Sequence, residues 1–152
     1  MRKLVYLPNA QRFADAALLL LRLFVGVYLI WGVWDHVTSG ERMREFAALL
    51  GSHGFVAPQL LAPVSVYLQL AIGVAFILGV FTRWAGIICA VHFAVAIVMV
   101  DYLGGMRGIF PSGCLFVIGL YLATHGAGRF SFDEALRANE VPRAAGGVRL
   151  KF

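Results

Sequence analysis

Apolar residues fall in four long runs divided by short polar punctuation. The first covers 16–37 (AALLLLRLFVGVYLIWGVWDHV), 22 residues that end in Trp31, Trp34, Asp35 and His36 rather than at a small-residue cleavage site. It therefore reads as a retained helix and not a leader. A second run covers about 64–81, launched by Pro63. Thr82 and Arg83 form a tight turn, and a third run follows over 84–100. The fourth covers about 112–127, with Pro111 at its first turn. A helix needs about 20 predominantly apolar residues to cross a bilayer, so the pattern predicts four spans, the last three near the lower limit of length.

The connection over 38–62 has a different pattern. In ERMREFAALL (41–50), Met43, Phe46, Ala47 and Leu50 recur at i, i+3, i+4 and i+7, with charges on the other face. That predicts an amphipathic helix suited to the membrane interface. Gly51, Gly54, Pro58 and Pro63 punctuate the return into the bilayer. Ala71, Ala75 and Gly79, and likewise Gly86, Ala90 and Ala94, form small-x-x-x-small ladders along which helix backbones can approach. No internal repeat is visible, which argues against an inverted-repeat carrier. The expected fold is all-α, an integral membrane four-helix bundle over 1–137 with an interfacial helix between spans one and two, followed by a basic tail over 138–152.

Composition sharpens this picture. Of 152 residues, 61% are hydrophobic and 14% charged, with a mean hydropathy of +0.81. Ordinary soluble domains carry about 25% charged residues, so a soluble enzyme, a disordered chain and a disulfide scaffold are excluded. The net charge of +5 does not mark a nucleic-acid binder, because no basic stripe interleaves with aromatics. Lys and Arg number nine at the N-terminus, the Arg83 turn and the C-terminal segment, against three (Arg42, Arg44 and Arg107) on the other side. That asymmetry places both termini in the cytoplasm.

Ionisable side chains within the spans come next, since each is expensive in hydrocarbon. Arg22 either snorkels to the headgroups or faces inward as a donor to an anion or quinone oxygen; it shares a stripe with Gly26, Leu29, Val33 and His36. Asp35 falls on the opposite stripe with Phe24, Tyr28 and Trp31. His92, near the middle of span three, is either a buried interhelical hydrogen bond or a proton-relay and ligand residue. Cys89, His92, Ala96 and Met99 share a face, yet one stripe supplies too few convergent donors for copper, and no metal site is expected. Cys114, Ile118, Tyr121 and His125 form a stripe on span four. With span four starting near 112, Cys114 lies close to the outer surface and Cys89 towards the cytoplasm, too far apart along the axis for a disulfide. His92 and His125 differ in depth, which disfavours bis-histidine haem. Asp35, His36, Tyr67, Gln69 and Asp101 gather near the external face, joined by Cys114. They form either a polar rim or a small-ligand or proton site, with Asp35 or His36 as acid/base and Gln69 as orienter.

LLLLRLFVG (18–26), IWGVWDHV (30–37), LQLAIGVAFILGVFTRWAG (68–86) and the closing GAGRFSFDEAL (126–136) together resemble the DoxX family of small four-helix inner-membrane proteins, over about residues 14–137. The resemblance implies a multi-pass protein of the bacterial inner membrane, associated with redox or with sulfur and thiol metabolism; relatives include the DoxD-type subunit of thiosulfate:quinone oxidoreductase. Gln69 stands where members often have Glu, and Asp35 where Lys is common, so a Lys–Glu pair in relatives becomes a neutral-plus-acid pair here. Ser131 and Glu134 form a capping box. The segment around them is a boundary device or a docking point for a cytoplasmic partner. The tail from Glu140 is expected to be mobile and drawn to anionic lipid.

The leading expectation is a redox-associated membrane subunit that exchanges electrons with quinone through a soluble or membrane oxidoreductase partner, rather than a stand-alone enzyme, with an oligomer allowed. His92, Asp35 and His36 are the acid/base candidates; Arg22, Gln69, His92, His125 and Tyr121 are the ligand-binding candidates. The alternatives are a non-catalytic assembly or anchoring subunit and, third, a small-solute permeation protein.

Overall fold

A computed structural model describes residues 13–140. Its helices are α1 (Ala14–Thr38), α2 (Gly40–Ser52), α3 (Pro58–Leu78), α4 (Thr82–Met99), a 3-10 turn (Asp101–Gly104), α5 (Gly105–His125) and α6 (Phe132–Glu140). Four segments are long and apolar enough to cross a membrane: α1, α3, α4 and the stretch from the 3-10 turn through α5. In each, at most 33% of the most apolar stretch is buried within the protein. The remaining apolar surface faces outward, which only a lipid solvent tolerates on this scale.

The helices associate as two close pairs, α1 with α3 and α4 with α5, while α3 and α4 touch more sparingly. Each pair crosses on glycines. A side chain at Gly26 would meet the Gly73 carbonyl oxygen at 2.7 Å, and one at Gly86 would meet the Gly119 oxygen at 2.7 Å. Backbone contact of this kind is the packing solution where no hydrophobic force draws helices together. The core joins both pairs through Leu29, Phe76, Cys89 and Leu122.

Several helix bounds differ from the sequence pattern. The second span begins at Pro58, where proline suits the first turn, and carries Pro63 inside the helix. The tight turn lies at Gly79–Phe81, before Thr82, because Gly79 ends α3 in the left-handed conformation (φ 68°). The last span starts seven residues earlier than 112 and contains Pro111. Of the two small-residue ladders, Gly86 and Ala90 do lie against α5, but on α3 it is Gly73, not Ala71, that meets its neighbour. Ala71 is exposed. The amphipathic segment forms α2, with Leu50 buried and Met43, Phe46 and Ala47 half-buried, and it packs on α3 and α1. The basic tail lies outside the described residues except for 138–140, which close α6.

Candidate functional site

α3 and α4 touch only sparingly beyond the Gly79–Phe81 turn that joins them, and a cleft lies between the two helix pairs. Its volume is about 560 Å³, within the range of small-molecule sites. Leu61, Val64, Leu68, Ile88, Val91 and Ala96 supply much of its apolar wall, and Phe46 and Leu50 of α2 close one side. Five polar side chains reach this wall: Ser65, Gln69, His92, Asp101 and Ser112.

Their positions follow from the helices that carry them. Gln69 leans onto α1, where its Nε2 donates to the Leu29 carbonyl at 3.2 Å beside Gly32. One amide N–H and the amide oxygen remain for a ligand. His92 is half-buried and stands edge-on to Phe93, ring centroids 5.0 Å apart. It makes no hydrogen bond among the described residues, so it is not an interhelical strut. At the far end, Ser112 donates to the Asp101 carboxylate, tying the 3-10 turn to α5.

The other sequence candidates go elsewhere. Asp35 and Tyr67 face outward, and the Asp35 carboxylate has no partner among the described residues. His36 packs edge-on to Phe46 at 5.2 Å, with its Nδ1 buried and unpartnered. Tyr121 and His125 stack on each other at 5.1 Å on the exposed side of α5.

Arg22 does not snorkel, being only 1% exposed. Its Nε donates to the Phe76 carbonyl at 3.0 Å. Nη1 donates to the carbonyls of Ala127 and Phe130, and Nη2 reaches that of Ile77 at 3.5 Å. Four of its five N–H groups therefore serve carbonyls in the last turn of α3 and in the link that follows α5. Arg22, His92 and His125 do not form one intramembrane set.

Cys89 and Cys114 are both free. The Cys89 thiol points at the Leu115 carbonyl, 3.8 Å away, so the two cysteines lie at similar depth, contrary to the expected axial gap. The earlier start of α5 carries Cys114 deeper, and direction separates the pair: Cys89 points into the core and Cys114 outward.

Sequence reasoning missed Ser112, Ser65 and the contribution of α2 to the cleft. The signal for Ser112 was present, since Ser112 opens the run in which Cys114 was singled out, but a helix start placed there hid its contact with Asp101.

A family model described as DoxX matches residues 17–101. No curated protein and no solved structure matches the chain.

Proposed function

The chain belongs to the DoxX family, and from that premise we propose that it is a redox-associated subunit of the membrane that holds a quinone in the cleft between its helix pairs. The observation that carries this reading is the cleft itself, an apolar recess of about 560 Å³ with Gln69 on its α3 side and His92 on its α4 side. An isoprenoid-tailed ring needs apolar walls for the tail and a few polar groups for its carbonyl oxygens. Ile88, Val91 and Ala96 meet the first need; His92 and Gln69 meet the second. When bound, a quinone supplies two-electron chemistry in step with an oxidoreductase partner. The work of this chain is then to orient the ring and move protons. Gln69 offers an amide N–H, and the His92 imidazole gives or takes a proton at a ring nitrogen. Asp101 lies nine residues beyond His92, in the 3-10 turn that follows α4. With Ser112 it forms the polar mouth of the cleft. Both termini on the cytoplasmic side of a bacterial inner membrane is the orientation that the nine-to-three excess of basic residues supports.

Purification in mild detergent followed by solvent extraction tests the proposal. Near-stoichiometric quinone is expected from the native protein. His92→Ala should retain several-fold less while its thermal unfolding stays unchanged, and Gln69→Leu should retain several-fold less with only the loss of about 0.5–1.5 kcal/mol expected from its bond to the Leu29 carbonyl. A quinone-free extract from quinone-replete membranes overturns the reading. If His92→Ala instead lowers stability and leaves the extract alone, the residue serves an assembly subunit.

A further inference from the structure

We propose that a second recess, at the end of the bundle where α1 begins and α5 ends, is a phosphate seat for the headgroup of an anionic phospholipid, with Arg83, Arg129 and Arg137 as its ligands. The recess has a volume of about 440 Å³ and is lined by these three arginines and His125. They come from three different segments: the first turn of α4, the link after α5, and α6. Gly126, at φ 87°, lets the Arg83 side chain lie across its backbone; a Cβ there would come within 3.2 Å of the guanidinium Nε. Three guanidiniums around one hollow present many N–H donors in fixed forks, the geometry that suits phosphate oxygens.

The carboxylates on the same wall do not neutralise the arginines pairwise. Asp133 directs both oxygens at the N–H groups of Phe81 and Thr82, at 2.7 and 2.9 Å. Asp15 accepts from the Arg129 backbone N–H at 3.4 Å. Glu134 lies in the first turn of α6, where the helix dipole favours it. Among the described residues the one ion pair is Arg42–Glu45, which lies on α2.

A lipid headgroup fits better than a free anion because of what frames the recess. Phe81 and Trp84 line it and are 71% and 67% exposed, and Phe130, Phe132 and Leu136 beside it are more than half exposed. Large apolar side chains left uncovered at the ends of spans match the headgroup level of a bilayer, where aromatics concentrate. Arginines below such a rim take the anionic headgroup while the rim meets the acyl chains.

The test uses the full chain, delipidated in detergent and offered equal amounts of phosphatidylglycerol and phosphatidylcholine, with retained lipid counted by native mass spectrometry. Phosphatidylglycerol should be retained preferentially, and the triple variant Arg83→Gln, Arg129→Gln, Arg137→Gln should lose that preference about ten-fold. All three side chains are exposed. Should the triple variant fail to fold, Arg129→Gln alone should show a several-fold loss. The corresponding lysine variants should keep part of the preference, and Arg42→Gln with Arg107→Gln should leave it intact. Equal retention of both lipids overturns the proposal, as does an equal loss in the Arg42/Arg107 variant, which would mean that net charge alone acts. Saturation by millimolar inorganic phosphate without any lipid preference overturns the lipid assignment and leaves a free-anion site.

Discussion

Arg22 places a full charge among backbone carbonyls that no other side chain serves. A charged hydrogen bond contributes about 1.5–3 kcal/mol and an orphaned buried acceptor costs about 1–3 kcal/mol. Arg22→Met should therefore destabilise the bundle by more than about 3 kcal/mol, read from thermal or denaturant unfolding in mixed micelles. Arg22→Lys should recover little, because one ammonium cannot reach Phe76, Ile77, Ala127 and Phe130 from a single point. The stripe of Arg22 with Gly26, Leu29 and Val33, all of which are buried, allowed an inward direction but did not decide it against snorkelling. Its partners were not legible. They are backbone oxygens, and an oxygen at residue 127 carries no residue-type signature to connect it with residue 22.

At the scale of elements, the crossings and caps decide stability. Filling the α4–α5 contact with Gly119→Leu should overpack it at a cost of about 1–3 kcal/mol, whereas Gly40→Ala, where nothing lies within 4 Å, should be neutral or slightly stabilising. The same unfolding measurement separates the two. Phe81 adopts a left-handed conformation (φ 48°) as the cap of α4, which an aromatic residue rarely accepts. The Asp133 carboxylate holds its N–H and the next one. Asp133→Ala should then cost about 1–2 kcal/mol, the upper range for a lost cap. The capping box read at Ser131 and Glu134 is present in one direction, with the Glu134 N–H donating to the Ser131 hydroxyl at 3.2 Å. Periodicity gave α2 and α1 nearly residue for residue. Proline misled at 111, because a proline that can open a helix can also sit in its second turn when the surrounding bundle re-satisfies the backbone.

Taken as a whole, the molecule separates its two ends. The cleft opens towards α2 and the 3-10 turn, and the arginine recess lies at the opposite end. If both termini are cytoplasmic, Arg42→Cys should react with a membrane-impermeant maleimide from outside intact cells. Arg137→Cys should react only after permeabilisation, and the reverse pattern would invert every depth assignment. The division into two helix pairs could not be read from the chain, since four apolar runs of similar length fit several pairings and only the glycine contacts select among them.

The clamp around Arg22 also has a consequence for biogenesis. The charge enters the bilayer with the first span to be made, yet two of its four acceptors, Ala127 and Phe130, are among the last parts of the bundle to leave the ribosome. Until then the nascent chain holds a half-solvated cation, and the segment that relieves it also finishes the start of α4. A translation product stopped at residue 125 should consequently be cleared by membrane proteases within the time that one reaching residue 140 survives, which pulse-chase of the two lengths would register.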